Sequence, residues 1–120
     1  MNKNKTVLLV EDDATLSDAF GIMLTKAGYD VTHAANGKDA LDILKNIQPA
    51  IILLDLLMPI MDGKDFLRQF KNTHNIPVIV FSNLDSKDDV NEVLELGATR
   101  YMLKAWATPD EIIKIVEDNS

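Results

Sequence analysis

Five short runs rich in apolar residues recur along this chain, and each is followed by a segment whose apolar residues repeat at helical spacing. The runs cover residues 5–10, 29–34, 50–54, 77–81 and 100–103. Strands without apolar–polar alternation that alternate with helices are typical of a parallel sheet covered on both faces. The second run is interrupted by Asp30 and His33, which predicts a strand at the edge of the sheet. The pattern therefore predicts an α/β fold.

Residues that start or stop helices bound the intervening segments. Gly28 ends the first helix, predicted over residues 14–27, and Pro49 ends the second, which follows Asn36-Gly37. Apolar residues of the third and fourth helices are Phe66, Leu67 and Phe70, then Val90, Val93, Leu94 and Gly97. The fifth helix begins at a capping box, Thr108-Pro109-Asp110-Glu111. Because no linker or repeat separates the five units, residues 1–120 are predicted to form one doubly wound domain.

Composition excludes several classes of function. The chain has no cysteine, which excludes disulfides, cysteine-ligated zinc and thiol catalysis. Its net charge of -7 gives no basic surface for direct binding of nucleic acid or of an anionic membrane. The apolar run at residues 6–10 is too short for a signal peptide, and no run approaches the roughly 20 residues of a membrane span. We therefore expect a soluble, cytoplasmic protein.

Polar residues follow the predicted strands at the carboxyl edge of the sheet, where open α/β sheets bind ligands. They are Glu11-Asp12-Asp13 after the first strand, Asp55 after the third, Ser82-Asn83 after the fourth and Lys104 after the fifth. Three converging carboxylates raise one another's pKa values unless a cation relieves the repulsion. Oxygen ligands without histidine or cysteine favour Mg²⁺, and Lys104 suits an anion. The set predicts a site for a cation and an incoming phosphoryl group, with a carboxylate as nucleophile.

An alternative interpretation is that each acid only caps the helix after its strand. For Asp13, directly before the first helix, capping and a place at the site are equally supported. For Asp55 the capping interpretation is weaker, because no helix begins there and Pro59 and Asp62-Gly63 intervene. An acid directly after five apolar residues needs a partner or a function.

These motifs resemble the receiver domains of two-component response regulators, the CheY-like family, over essentially the whole chain. The resemblance rests on Val10-Glu11-Asp12-Asp13, on the pattern Asp-x-x-Met-Pro-x-Met-Asp-Gly at residues 55–63, on Ser82 and on Lys104. It implies a flavodoxin-like (βα)5 fold with strand order 2-1-3-4-5. It also implies a phosphorylation-dependent signalling switch that is not a turnover enzyme.

The resemblance further implies a role for each matching residue. Asp55 is the expected phosphoacceptor, and the partner that supplies the phosphoryl group is a sensor histidine kinase or a His-containing phosphotransfer protein. Mg²⁺ is expected on Glu11, Asp12, Asp55 and the backbone carbonyl of Leu57. Ser82 and Lys104 are expected to bind the phosphoryl oxygens, and Ser82 and Tyr101 to form the switch. Output is expected through the face of helix four, strand five and helix five, toward a downstream protein, an output domain or a phosphorylation-dependent dimer.

The chain departs from the family pattern after strand five, where Lys104-Ala105 replaces the usual Lys-Pro. Because a cis bond before a residue other than proline costs about 2.5–4 kcal/mol, we predict a trans bond and a reshaped loop. That change puts the grip of Lys104 on the phosphoryl group in question. In the family that the chain resembles, the side chains two residues after the phosphoacceptor and two residues after the serine influence how fast water attacks the acyl phosphate. Here these residues are Leu57 and Leu84, which cannot orient water, so we predict a long-lived phosphoryl group.

Several residues outside these motifs carry weaker signals. Trp106 either packs over the end of helix five or contacts a partner. His33 and His74 lack metal-ligand spacing and are predicted to be structural or solvent-facing. The acidic residues 85–89 are interpreted as an exposed first turn of helix four.

Two functions compete with the signalling switch. One is a receiver-like scaffold that is never phosphorylated, although the complete set of acids argues against it. The second is a Mg²⁺ phosphatase with an aspartyl intermediate, although the nucleophile motif of such enzymes is absent from the sequence.

Overall fold

The computed structural model describes residues 4–120, except for the side chain of Trp106, so both interpretations of that side chain lie outside the described residues. Within residues 4–120, five strands alternate with five α-helices, as predicted. The elements are β1 (Thr6–Val10), α1 (Ala14–Lys26), β2 (Asp30–Ala34), α2 (Gly37–Ile43), β3 (Ile51–Leu54), α3 (Gly63–Gln69), β4 (Val78–Ser82), α4 (Lys87–Glu95), β5 (Arg100–Leu103) and α5 (Pro109–Asn119). A short 3-10 helix (Lys104–Trp106) separates β5 from α5.

All five strands are parallel and lie in the order β2-β1-β3-β4-β5. This is the flavodoxin-like (βα)5 order, so the predicted fold class is confirmed. β2 lies at one edge, as its polar residues predicted. In the register of the central strands, Val10 pairs with Leu54, and Leu54 pairs with Val80. The residues that follow β1, β3 and β4 therefore emerge side by side.

Two layers of apolar side chains cover the sheet and explain the unbroken apolar runs. On one face, Leu8 and Ile52 pack with Phe66 of α3 and Val93 of α4. On the other face, alternate strand residues pack with α1 and α5; this layer includes Val7, Leu9, Leu53, Phe20, Leu24, Ile112 and Val116. Because β1, β3 and β4 are buried on both faces, they have no solvent-facing side that would call for polar residues.

Each α-helix begins at a side chain that accepts a hydrogen bond from its first turn. These residues are Asp13, Asn36, Asp62, Ser86 and Thr108. Thr108 accepts from the backbone N–H of Glu111 at 3.2 Å, which confirms the predicted start of α5. Asp13 accepts from the N–H of Leu16 at 3.2 Å, so this acid caps α1.

Two predicted helix ends were wrong. α2 ends at Ile43, well before Pro49, because its last turn tightens into i to i+3 hydrogen bonds, such as Asn46 N–H to the Ile43 carbonyl at 3.0 Å. α4 ends at Glu95, and Gly97 lies beyond it in the left-handed region with φ 111°.

The acidic segment 85–89 is only partly the exposed turn that its sequence predicted. Asp85 and Asp88 are exposed, and Asp88 lies in the first turn of α4. Asp89 differs, because it is half-buried against Lys64 of α3. The segment therefore joins two helices as well as facing solvent.

In residues 4–120, none of the helices combines the length and the apolar character that crossing a membrane requires.

Candidate functional site

The predicted site residues converge at the carboxyl edge of the sheet. Glu11 follows β1, and its backbone N–H donates to the Ala34 carbonyl at 3.0 Å. Asp55 follows β3, and its N–H donates to the Val10 carbonyl at 3.0 Å. Lys104 follows β5. Backbone hydrogen bonds to the neighbouring strands thus fix where the two acidic side chains start, and the sheet register brings them together.

Lys104 bridges the two buried carboxylates. Its Nζ lies 3.1 and 3.0 Å from the two carboxylate oxygens of Glu11 and 3.2 Å from Oδ2 of Asp55. The side chain of Glu11 is fully buried, that of Asp55 is 5% exposed and that of Lys104 is 18% exposed. The ammonium also lies 5.6 Å from the centre of the Phe81 ring. The site is therefore a desolvated cluster of one lysine and two carboxyl groups.

Burial and charge act in opposite directions on the pKa values here. Burial raises the pKa of Glu11 to about 7, although the hydrogen bond from Lys104 works against this rise. Burial alone would lower the pKa of Lys104, but its hydrogen bond to Glu11 and the charge of Asp55 raise it overall. One ammonium therefore compensates the buried acids only in part.

The third acid, Asp12, is exposed and lies at the mouth of the cluster. One carboxylate oxygen from each of Glu11, Asp12 and Asp55 lies within 4.8 Å of the others. Opposite ligands of an octahedral Mg²⁺ ion are about 4.2 Å apart. An all-oxygen set of this span fits a hard divalent cation after small side-chain movements.

Ser82, at the end of β4, and Tyr101 of β5 are joined through the loop that follows β4. Ser82 is fully buried, and its Oγ accepts from the N–H of Leu84 at 3.2 Å. The Tyr101 hydroxyl donates to the carbonyl of the same Leu84. Burial raises the pKa of Tyr101, so its hydroxyl stays a donor. The loop from Ser82 to Leu84 is therefore held from β4 and from β5.

The segment between β3 and α3 packs tightly behind the phosphoacceptor candidate. Gly63 N–H donates to the Leu56 carbonyl at 2.9 Å, and a Cβ on Gly63 would lie 2.5 Å from the Asp55 carbonyl oxygen. Outside this contact the segment is open: Leu57 is 60% exposed, and Ile60 is 81% exposed with φ 69°. A β-branched residue in the left-handed region is strained. The backbone of Asp55 is thus fixed, and the tip of the loop faces solvent.

The peptide bond between Lys104 and Ala105 is trans, which confirms that prediction. The loop after it forms the 3-10 helix (Lys104–Trp106), which the sequence did not predict. The trans bond does not keep the lysine away from the site, because its Nζ reaches both Glu11 and Asp55.

Two contacts that support this site were not predicted from the sequence. His33 of β2 places Nε2 2.8 Å from the backbone carbonyl of Glu11, a structural role within the range predicted for it. His74 is exposed. Gly63 was recognised only as a loop marker, although its missing side chain makes room for the Asp55 backbone. For the contact of His33 with the Glu11 carbonyl, the sequence offered only one indication, a histidine on the polar edge strand.

The fold and the site together define a class: a doubly wound α/β domain with an acidic pocket and a lysine at the carboxyl edge of its sheet. Residues 7–117 match the family model of the response regulator receiver domain. The chain therefore belongs to the response regulator receiver domain family. Receiver domains accept phosphoryl groups in signalling, bind Mg²⁺ at an acidic pocket, and are regulators that interact with histidine kinases or phosphotransfer proteins and with output domains.

Solved structures of receiver domains agree with this assignment. The receiver domain of the Francisella response regulator 1452 is 32% identical, with a TM-score of 0.88 over 96% of this chain and 95% of that one. The signal receiver domain of a signal transduction histidine kinase from Syntrophus aciditrophicus is 31% identical, with a TM-score of 0.84 over 95% and 88%. The chemotaxis response regulator CheY4 of Vibrio cholerae is 25% identical, with a TM-score of 0.89 over 98% and 100%.

Proposed function

We propose that Asp55 accepts a phosphoryl group from a phosphohistidine of a sensor histidine kinase or a phosphotransfer protein, and that residues 1–120 act as one switch domain. The observation that carries this proposal is the buried Asp55 carboxylate with the Lys104 ammonium 3.2 Å away and two further acids beside it. A buried nucleophile next to a fixed cation is preorganised for an incoming anion.

In the proposed reaction, one carboxylate oxygen of Asp55 attacks the phosphorus atom. A new O–P bond forms, the N–P bond of the phosphohistidine breaks, and the imidazole leaves with the electron pair. Lys104 exchanges part of its contact with Asp55 for contact with a phosphoryl oxygen. The hydroxyl of Ser82 donates to another oxygen, for which the loop after β4 must move.

Glu11, Asp12, Asp55 and the backbone carbonyl of Leu57 are the proposed ligands of Mg²⁺. The ion would neutralise charge on the phosphoryl oxygens. Lys104 is the second source of positive charge, and the burial of Glu11 and Asp55 strengthens its attraction for an anion because little water screens it.

Ser82 and Tyr101 form the proposed switch. A displacement of Ser82 toward the phosphoryl group moves the N–H of Leu84 that it accepts from, and the Leu84 carbonyl carries the Tyr101 hydroxyl. The change reaches the surface of α4, β5 and α5, where a downstream protein, an output domain or a second phosphorylated copy would bind. The net charge of -7 supports protein partners over direct contact with nucleic acid.

The phosphoryl group on Asp55 is proposed to be long-lived, with slow self-catalysed hydrolysis. Leu57 is largely exposed and Leu84 is half-buried, and both flank the site without a group that can orient water. A half-life of only seconds in the purified protein would contradict this point.

The test is the intact mass of the protein after incubation with Mg²⁺ and acetyl phosphate, for the wild type and for Asp55→Asn. We expect one phosphoryl adduct on the wild type and none on the variant. Omission of Mg²⁺ should reduce the rate of adduct formation strongly.

Two outcomes would contradict the proposal. A wild type without any adduct would indicate a scaffold that never takes phosphate. Many turnovers of released phosphate for each protein molecule would indicate a phosphatase.

A further inference from the structure

An ion network joins α3 to α4. Lys64 of α3 places Nζ 2.6 Å from a carboxylate oxygen of Asp89 and 2.6 Å from one of Glu92, both in α4. Arg68 reaches the other oxygen of Glu92 at 3.3 Å and pairs with Asp65 of its own helix at 2.7 Å. We call these five residues the α3–α4 network. Lys64 and Arg68 lie one turn apart on α3, and they face two acids that lie one turn apart on α4.

The network is anchored at both helix starts. One carboxylate oxygen of Asp89 accepts a hydrogen bond from Lys64, and the other accepts one from the Ser86 hydroxyl at 2.7 Å. Ser86 in turn caps α4 by accepting from the N–H of Asp89 at 3.1 Å. The Lys64 side chain is only 22% exposed and that of Asp89 28% exposed. The Asp89 end of the pair is therefore anchored, and the pair is better shielded than an isolated surface pair.

The network connects a part of the chain that stays fixed in the proposed switch with a part that moves. Lys64 directly follows Gly63, which packs on the Asp55 backbone and keeps the start of α3 in place. Ser86 and Asp89 closely follow the loop from Ser82 to Leu84, which is the part that must move toward a phosphoryl group. A shift of α4 away from α3 would lengthen the 2.6 Å contacts of Lys64.

We propose that Lys64 is a positioning residue of the switch, whose bridge to Asp89 and Glu92 holds α4 in its unphosphorylated place. The proposal rests on the phosphorylation switch proposed above. The bridge stabilises the position that α4 has without phosphorylation. Because a phosphoryl group would favour a different position of α4, the bridge lowers the affinity of the site for that group. The hydrogen bonds with Lys64 also lower the pKa values of Asp89 and Glu92, as expected for charges that the contact favours.

The test is the affinity of the site for beryllofluoride, a phosphoryl mimic, with Mg²⁺ present. Binding is followed through the amide NMR signals of α4. We expect Lys64→Met to bind about fivefold more tightly than the wild type, the low end of typical coupling between linked sites. Lys64→Arg retains the charge and should stay within about twofold of the wild type.

Three further measurements separate positioning from a general structural role. Lys45→Met removes an exposed pair with Asp42, at 3.3 Å, and should leave the affinity unchanged. Glu92→Gln should tighten binding, and the double variant with Lys64→Met should gain less than the two single gains combined. Raising the salt concentration from about 0.01 M to about 1 M should narrow the gap between wild type and Lys64→Met, because the Debye length falls from about 30 to about 3 Å.

An affinity of folded Lys64→Met equal to or weaker than that of the wild type would overturn the proposal. So would an equal gain for Lys64→Arg, since the charge would then not be the cause. Asp55→Asn shows which proposal has failed. If it binds beryllofluoride as the wild type does, the phosphoacceptor assignment is wrong; if it does not bind and Lys64→Met behaves like the wild type, only the positioning role is wrong.

Discussion

Two lysines of this molecule each bridge a pair of carboxylates, in opposite surroundings. Lys104 joins Glu11 and Asp55, whose side chains are 0% and 5% exposed. Lys64 joins Asp89 and Glu92, whose side chains are 28% and 42% exposed. The N–O distances are 3.0–3.2 Å at the buried bridge and 2.6 Å at the surface bridge. The exposure of the acids to water is the larger difference between the two bridges.

The difference shows in the protonation of the acids. At the surface bridge, the hydrogen bonds of Lys64 lower the pKa values of Asp89 and Glu92. At the buried bridge, burial outweighs the lysine and raises the pKa of Glu11 to about 7. The acids of the surface bridge therefore stay charged, and Arg68 adds a second cation beside Glu92, so this bridge is suited to fixing geometry. The buried bridge has too little positive charge and is suited to receiving a cation.

The largest expected effect comes from removing the buried cation. Lys104→Met should lower the free energy of unfolding by about 3 kcal/mol, because two buried carboxylates lose their partner. Urea denaturation without Mg²⁺ measures this loss. Adding Mg²⁺ should restore part of it, since the ion replaces the missing positive charge.

Lys64→Met is the matched variant at the surface bridge and should lose only a fraction of that stability, without recovery by Mg²⁺. Equal losses for the two variants would show that burial does not distinguish the bridges.

The second prediction concerns the close packing of Gly63 against the Asp55 backbone in the buried region. Gly63→Ala places a methyl group 2.5 Å from the Asp55 carbonyl oxygen and 2.9 Å from the Leu56 Cα, where backbone cannot yield cheaply. We expect a loss of about 2 kcal/mol in thermal or urea unfolding and slower phosphorylation by acetyl phosphate.

Gly21→Ala is the control, because a Cβ on Gly21 in α1 meets nothing within 4 Å. There the better helix propensity of alanine should raise stability by about 0.5–1 kcal/mol. Two changes of the same sign would refute the close-contact explanation.

The smallest expected effect is a pH dependence at the surface bridge. The pKa values of Asp89 and Glu92 are lowered from 3.8 and 4.5 in the folded chain. A lowered acid pKa contributes stability above its unfolded value and loses it as the pH falls through its folded value. The difference in unfolding free energy between wild type and Lys64→Met should therefore be complete at pH 7 and shrink as the pH falls below these values. A difference that persists in acid would instead reflect packing of the lysine stem.

The sequence predicted the order of elements from its apolar runs, and it predicted that the site residues come together from their positions after strand ends. In a parallel sheet the residue after every strand lies at the same edge, so Glu11, Asp55 and Lys104 were expected at one edge, and the long side chain of Lys104 spans the intervening strand. The apolar runs showed which strands are buried on both faces. Both kinds of pattern can be read from the sequence alone.

Contacts between separate elements could not be predicted, because they depend on distances in space. Lys64 and Asp89 are 25 residues apart, and nothing in their local sequence distinguishes them from solvated surface charges. The contact of His33 with the Glu11 carbonyl depends on strand register. Helix ends were also predicted poorly: Gly97 matched the helical period but lies beyond α4.

The capped helix starts have one more consequence. Since all five strands are parallel and each leads into a helix, the amino-terminal ends of α1 to α5 all lie at the edge that carries the acids. Aligned peptide dipoles give each such end a partial positive charge. The backbone thus contributes partial positive charge at the same edge as the acidic pocket. This contribution comes from the topology of the chain, although acids in the first turns of α2 to α5 offset part of it.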